Sequence, residues 1–114
     1  MSTRANIVIQ DENTKLWFYR NSDGYPEGTL PTLNTLLRWV KTKKIRDNAV
    51  QAAGWLIILG HREYKGQGTP CVKDEWGMPV WKVGSYEPTD KRHGDIEFLY
   101  IVDLVKKTIT VKGV

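Results

Sequence analysis

The stretch RANIVIQDENTKLWFYR (residues 4–20) predicts the first unit of the fold. Ala5, Ile7 and Ile9 recur at every second position, which is the period of a strand with one face turned to a core. DENTK has the composition of a turn, and the aromatic-rich LWFYR that follows is typical of a second strand. We therefore predict a β-hairpin over residues 3–20.

A helix is expected after the hairpin. Pro31 suits the first turn, because its fixed φ is already helical. Leu33, Leu36, Leu37 and Val40 then fall at the spacing of one apolar stripe on a helix surface. This stripe should face the core.

A second helix is predicted over NAVQAAGWLIILG (residues 48–60), with Asp47 as its N-cap. The segment is apolar on almost every side, which favours deep burial. Ala52, Ala53 and Gly54 give it a small-residue face, so we expect a sheet or a partner helix to pack closely there.

The rest of the chain is richer in turns. Residues 61–95 are punctuated by glycine and proline, with one short strand expected in MPVWKV (residues 78–83). IEFLYIVDL (residues 96–104) is apolar on both faces, which favours a central strand. TITVKGV (residues 108–114) should be a final strand with Ile109 and Val111 inward.

The order of these elements, ββααβββ, predicts an α+β fold. We expect an antiparallel sheet of about five strands, with two helices packed on one face. A chain of 114 residues fits a single domain. Its apolar fraction of 40% supports a core, and its charged fraction of 26% supports a soluble surface.

Other sequence features bear on location. No apolar run approaches the ~18 residues that span a bilayer, and the first residues lack the pattern of a signal segment. The one cysteine, Cys71, cannot form an internal disulfide, which fits a reducing compartment. We expect a cytoplasmic protein with no membrane partner.

The net charge of +4 is unevenly distributed. RWVKTKKIR (residues 38–46) contains five bases and no acid. This basic patch consists of Arg38, Lys41, Lys43, Lys44 and Arg46. It could meet phosphates or an acidic protein face. The alternative is a solvated helix end, where cations favour the negative pole of the helix dipole.

The loop YRNSDGYPEG (residues 19–28) contains more than a turn requires. Its glycines, proline and short polar residues already explain the turn. A tyrosine beside an arginine can stack on a ring and grip a phosphate or carboxylate. We interpret Tyr19, Arg20, Asp23 and Tyr25 as ligand-binding residues. Alternatively Tyr25 folds back on the sheet and Asp23 pairs with Arg20.

Two further segments are expected to border this loop, namely HREY (residues 61–64) and RHGD (residues 92–95). The ligand-binding residues predicted in them are His61, Arg62, Tyr64, Arg92, His93 and Asp95.

His93, Asp95 and Glu97 would share one face of a strand, as a metal set could. The intervening Gly94 and the lack of a fourth ligand argue against a metal. The glycine-rich segments match no nucleotide-binding fingerprint, and neither histidine belongs to a triad pattern. We predict no metal, no cofactor and no catalytic residue.

Several segments together are similar to a known group of proteins. They are TRANI (residues 3–7), YRNSDGYPEG, NAVQAAGWL (residues 48–56) and HGDIEFLYIVDL (residues 93–104). In this order they resemble small proteins of bacteriophages and prophages, which have a TRA-type strand, a YRHxDGYPxG loop and a GDxEYxYxID strand.

The resemblance covers most of the chain and leaves residues 61–90 unmatched. Asn21 and Ser22 stand where the pattern has histidine and one further residue, so no role of that histidine carries over. The resemblance implies a viral accessory protein, and the group has no settled activity to transfer.

Three functions follow from these observations. The favoured one is a non-catalytic phage accessory protein in the host cytoplasm, which sequesters or inhibits a host defence protein or a nucleotide-type signal. It could act as a homo-oligomer. The second is a nucleic-acid-binding module, supported by a pI near 9.2, by the basic patch and by spare aromatic residues such as Trp76, which is hard to bury in its loop. The third is a small metal-dependent hydrolase or nuclease using His93, Asp95 and Glu97.

Overall fold

The computed structural model describes residues 2–63, 72–80 and 85–114. Within these ranges the chain forms a five-stranded sheet, a separate two-stranded hairpin and two helices. The elements are β1 (Ala5–Gln10), β2 (Lys15–Arg20), α1 (Pro26–Lys41), α2 (Ala49–Arg62), β3 (Val72–Lys73), β4 (Pro79–Val80), β5 (Glu87–Thr89), β6 (Phe98–Asp103) and β7 (Thr108–Gly113).

The five-stranded sheet has the order β5-β2-β1-β6-β7. The predicted hairpin is confirmed, since β1 and β2 pair antiparallel with Ile7 opposite Phe18. The α+β class is also confirmed. The prediction of a wholly antiparallel sheet is wrong in one place, because β1 and β6 pair in parallel.

The parallel pair results from a crossover. Both β5 and β6 run in the direction of β1, so residues 90–97 must return across the sheet, as parallel neighbours require. They do so on the face opposite the helices. There the His93 backbone N–H donates to Asn6 Oδ1 (2.7 Å), and Ile96 packs with Val8 and Leu99.

The helices cover the other face of the sheet, as predicted. The α1 stripe of Leu33, Leu36, Leu37 and Val40 is buried and forms one cluster with residues of β1 that include Ile7. The apolar positions of β1 therefore decide on which side the helices pack.

The start of α1 differs from the prediction. The helix begins at Pro26, and Pro31 lies inside it. The backbone N–H groups of Gly28 and Thr29 both donate to the Tyr25 carbonyl (3.0 and 3.1 Å). Because Pro26 already has the φ of a first turn, part of the segment predicted as a loop is helical.

The start of α2 is shifted by one residue. Asn48, not Asp47, is the N-cap, and its side chain accepts from the Gln51 N–H (3.1 Å). The Ala49 N–H donates to Asp11 in the β1–β2 turn (2.8 Å). The Asp11 carboxylate thus accepts from one of the backbone N–H groups that have no partner within the helix at its first turn.

The prediction of a deeply buried α2 is wrong for one side of the helix. Ala52, Ala53 and Leu56 are buried, whereas Val50, Ile57 and Ile58 are 63%, 43% and 47% exposed. The predicted small-residue face is accordingly divided between the two sides, because the helix lies on the sheet and its outer side faces solvent. Gly54, the third residue of the predicted small-residue face, lies on the exposed side.

Gly54→Ala should raise the free energy of unfolding by about 0.5–1 kcal/mol, since alanine is the better helix former. A Cβ at Gly54 would meet nothing within 4 Å. The matched control is Gly60→Ala in the same helix, where a Cβ would lie 2.5 Å from the Tyr86 ring. Thermal melts of dilute protein should show the first variant stabilised and the second destabilised. A lower melting temperature for Gly54→Ala would contradict the exposed position.

Asp11→Ala should lower the melting temperature at neutral pH. Hydrogen bonds from the backbone of Ala49 and of Asn13 lower the pKa of Asp11. A lowered folded pKa gives stability that is present above the unfolded pKa, near 3.9, and lost as the pH falls through the folded value.

The difference in melting temperature between wild type and Asp11→Ala should therefore shrink below about pH 4. Glu12→Ala, in the same turn and exposed, is the control and should melt like the wild type. A difference that stays constant down to acid pH would contradict the role assigned to the carboxylate.

Candidate ligand-binding site

The loop of residues 19–28 is held from inside by a buried arginine. Arg20 is only 3% exposed. Its Nε donates to the Asp23 carbonyl (3.1 Å) and its Nη2 to the Gly28 carbonyl (3.2 Å). Nη2 also pairs with Glu63 Oε1 (2.7 Å). The guanidinium carbon lies 4.6 Å from the centre of the Tyr86 ring.

The carboxylate of Glu63 completes this buried network. Its Oε2 accepts from the Thr32 hydroxyl (2.6 Å) and from the Tyr86 hydroxyl (2.9 Å). Burial raises the pKa of Tyr86, so the phenol remains a donor at neutral pH. No buried side-chain nitrogen or oxygen among the described residues lacks a hydrogen-bond partner. An ion pair is tolerated inside a protein when its remaining donors and acceptors are hydrogen-bonded in this way.

The loop presents other residues to solvent. The Asp23 backbone is left-handed (φ 57°), and its carbonyl accepts from Arg20 and from Thr29 Oγ1 (2.9 Å). Arg20 therefore bonds the Asp23 main chain. Tyr25, at the N-cap of α1, is 40% exposed. A ligand on this loop would meet Tyr25 and the Asp23 side chain before Arg20.

A second cluster lies on the face crossed by residues 90–97. The Tyr19 hydroxyl donates to Asp95 Oδ2 (2.9 Å), which also pairs with Arg4 (3.4 Å). The His93 ring stacks on Tyr19, with centroids 4.0 Å apart, and its Nε2 lies 3.0 Å from Thr89 Oγ1. Desolvation, and then the hydrogen bond to Asp95, raise the pKa of Tyr19.

The structure thus divides the predicted loop site in two. Tyr19, His93 and Asp95 meet on one face of the sheet. Arg20 lies on the other face, because successive side chains of a strand point to opposite sides. Arg92, which directly precedes His93 in the chain, is exposed.

The HREY segment is only partly described. His61 and Arg62 form the last turn of α2, and Tyr64 lies outside the described residues. The member that sequence reasoning left out is Glu63, the ion-pair partner of Arg20. A single acid directly after the basic last turn of an otherwise apolar helix was the signal that could have indicated it.

The hypothetical metal set is not on a strand. β6 begins at Phe98, so His93, Asp95 and Glu97 belong to the crossover, and the Glu97 N–H donates to the Arg4 carbonyl (2.8 Å). Within residues 2–63, 72–80 and 85–114, no three histidine, cysteine or acidic side chains are grouped so as to hold a metal ion.

The basic patch borders a surface cleft of about 700 Å³ beside the α1–α2 connection. Five cations line it, together with polar residues at the start of α2 and an apolar floor. The lining consists of Lys41, Lys43, Lys44, Arg46 and Lys107, with Asp47, Asn48 and Gln51, over Val40 and Ile45. Arg38 is not among them. Sequence reasoning missed Lys107, which is far along the chain and was not grouped with the patch.

A short, well-bonded turn positions these cations. Lys43 has a left-handed backbone (φ 60°). The N–H groups of Lys44 and Ile45 both donate to the Trp39 carbonyl (2.8 and 3.3 Å), and the Ile45 side chain is buried. The ammonium of Lys44 lies 5.6 Å from the centre of the half-buried Trp39 ring. The cleft therefore has an aromatic neighbour.

The surface next to this cleft is acidic. The one acid in its lining, Asp47, pairs with Lys107 (3.6 Å). An adjoining cleft of about 450 Å³ is lined by Asp47, Asp11 and Glu12 among others. An anion would therefore favour the side formed by residues 41–46.

Comparisons with known proteins add no relative. No family model matches the chain, and neither a curated protein nor a solved structure was found to match it. Neither helix of the described ranges has the length and hydropathy needed to cross a membrane.

Arg20→Ala should lower the free energy of unfolding by roughly 3–5 kcal/mol, because it removes the buried partner of an ion pair together with its hydrogen bonds to the Asp23 and Gly28 carbonyls. The matched control is Tyr25→Ala in the same loop. Its exposed ring should change stability by at most about 0.5 kcal/mol.

Chemical denaturation of both variants measures these effects. Equal stability of Arg20→Ala and wild type would contradict the bracing role of the arginine. A stable Tyr25→Ala that loses a ligand bound by wild type would place binding on the loop surface.

Proposed function

We propose that the protein is a non-catalytic binding protein that captures a phosphate-bearing, nucleotide-type ligand in the basic cleft. The observation that carries this proposal is the convergence of five cationic side chains on one concave surface with an apolar floor. A volume of about 700 Å³ is in the range of small-molecule sites.

The cations would supply most of the binding. Lysines act as mobile point charges, and Arg46 can offer two parallel donors to a phosphate. The amides of Ala49 and Gln51 already donate to Asp11 and to Asn48. The helix start would therefore contribute mainly through its dipole.

The lining of the cleft favours binding over chemistry. Among the described residues that form it there is no histidine, cysteine, serine or threonine. These are frequent nucleophiles and proton carriers of hydrolytic sites, and the one carboxylate among the described lining residues, Asp47, is paired with Lys107. A ligand held there would be retained and released unchanged.

The biological setting follows from the resemblance to phage proteins. A protein that holds a nucleotide-type signal lowers its free concentration, and so would counter a host defence that depends on it. This action belongs in the cytoplasm of the infected cell. A host protein with an acidic face would meet the same cations.

Charge reversal of Lys41, Lys43 and Lys44 to glutamate tests the cleft. Titration calorimetry with nucleoside triphosphates, cyclic dinucleotides and inorganic phosphate should show binding to wild type. Each lost charge-assisted contact is worth about 1.5–3 kcal/mol, so the triple variant should bind at least about 100-fold more weakly.

The control variant carries glutamate at Lys91 and Arg92, two exposed cations of the crossover. It should bind as the wild type does, and both variants should melt within a few degrees of it. Unchanged affinity in the Lys41, Lys43 and Lys44 variant would exclude the cleft as the site. Absence of binding by every probe would count against a nucleotide-type ligand.

Nucleic acid is the second candidate, favoured by the exposed basic stretch beside Trp39. A single-stranded oligonucleotide should then bind with an affinity that rises with its length. A plot of the logarithm of its binding constant against the logarithm of the salt concentration should have a slope of about −0.7 for each phosphate contacted. Binding that reaches its full strength with a mononucleotide would exclude this candidate.

A further inference from the structure

Two tryptophans lie beside the basic cleft, one on each helix. Trp39 belongs to the last turn of α1 and Trp55 to the middle of α2. Their rings meet edge to face, with centroids 5.9 Å apart and planes at 83°, an arrangement that aromatic pairs favour. Both side chains are half-buried and pack against the core. The core therefore holds both rings in place and leaves part of each exposed.

The tryptophan pair is continuous with the cleft through two of the residues that line it. One is Lys44, whose ammonium lies 5.6 Å from the centre of the Trp39 ring. The other is Gln51, which precedes Trp55 by one turn of α2 and so neighbours it on the helix surface. An elongated ligand with one end in the cleft would reach the tryptophans with its other end.

A second cation lies over Trp39 and does not belong to the cleft. The guanidinium carbon of Arg62 is 5.9 Å from the centre of the Trp39 ring, and Arg62 is not a lining residue. Among the described residues, neither Lys44 nor Arg62 forms an ion pair with a carboxylate. Two cations beside one ring repel each other, whereas a ligand that is both anionic and flat would attract both of them.

We propose that Trp39 and Arg62 form the base-binding half of the nucleotide site, and that the ligand is a purine nucleotide. This inference rests on the capture of a nucleotide-type ligand proposed for the cleft. The phosphates lie among the cations of the cleft, and Lys44 joins the two halves of the site. The base stacks on the indole ring of Trp39, with the guanidinium of Arg62 on its other face. Aromatic rings and guanidinium planes are the usual stacking partners of unpaired bases.

The side chain of Arg62 must move outward to admit a base. Stacked planes need about 3.4 Å on each side of the base, and the guanidinium lies only 5.9 Å from the centre of the Trp39 ring. Because Arg62 is exposed and has no ion pair within the described part of the chain, its movement breaks no salt bridge there.

The size of the indole ring favours a purine. A two-ring base covers more of a two-ring side chain than a pyrimidine does, and it makes more dispersion contacts. We therefore expect ATP to bind more tightly than CTP.

Titrations with ATP, CTP and inorganic tripolyphosphate test the base-binding half. Tripolyphosphate carries the phosphate chain of ATP without a base. In calorimetry, wild type should bind ATP at least about 10-fold more tightly than tripolyphosphate, as expected for one stacked base. ATP should also quench the tryptophan fluorescence, and tripolyphosphate should not.

Substitution of Trp39 should remove the preference for a base. Trp39→Leu should lower the affinity for ATP to that for tripolyphosphate and abolish most of the quenching, with the affinity for tripolyphosphate unchanged. Trp39→Phe keeps a ring and should retain most of the preference. The control is Trp76→Leu, which removes a tryptophan that is 83% exposed in the turn between β3 and β4 and should bind as the wild type does. Thermal melts check that each variant is folded.

Arg62→Ala tests the other face of the base without altering the core. It should lower the affinity for ATP several-fold and leave the affinity for tripolyphosphate unchanged. The matched control is Arg38→Ala, which removes the same charge from an exposed residue that also lies outside the lining of the cleft. The ratio of the two affinities should stay at the wild-type value in this control.

The outcomes separate this inference from the proposed function. Equal affinities for ATP and tripolyphosphate, both lost in the Lys41, Lys43 and Lys44 variant, would overturn the base-binding half and leave the cleft as an anion site. A preference for ATP that survives in Trp39→Leu would also overturn it, and equal affinities for ATP and CTP would overturn the assignment of a purine. Absence of binding by all three probes would overturn the proposed function together with this inference.

Discussion

The buried guanidinium of Arg20 is the constraint on which the arrangement of the elements depends. An unpaired charge inside the protein would cost several kcal/mol, so every partner of Arg20 must be in place at once. Those partners come from the loop after β2, from the start of α1 through Gly28, from the end of α2 through Glu63, and from Tyr86 beside β5. The same loop is packed too closely for larger residues, since a Cβ on Gly28 would lie 2.6 Å from the Asp23 carbonyl oxygen.

The residue before Arg20 organises the opposite face. Tyr19 stacks on His93 and bonds to Asp95, while Asn6, next to it on β1, donates to the Phe18 carbonyl (2.8 Å) and accepts from the His93 N–H. A buried asparagine satisfied on both sides fixes where the crossover passes. Tyr19 thus contacts the crossover on one face of the sheet, and Arg20 bonds to the two helices on the other face. This explains why the YR pair exceeds what the turn itself requires.

Local periodicity allowed much of this fold to be predicted. The β1–β2 hairpin, the leucine stripe of α1 and the strand at residues 98–103 each follow from spacing within a few residues. The parallel β6 could not be predicted, because it depends on where residues 90–97 cross the sheet. The exposed side of α2 was missed for a related reason: an apolar composition favours burial, but it does not say which side of the helix the rest of the chain covers. Lys107 and Glu63 join their sites only through the tertiary structure.

α2 connects these features, and four parts of the helix can be distinguished. Its last turn leads into Glu63 and so into the buried network, where a change alters stability. Its first turn borders the cations of the cleft, of which Lys41, Lys43, Lys44 and Arg46 are exposed, so a substitution of these can alter binding while the fold is kept. Its inner side, with Ala52 and Leu56, belongs to the core. Its outer side, with Val50, Ile57 and Ile58, faces solvent and belongs to neither the core nor the cleft.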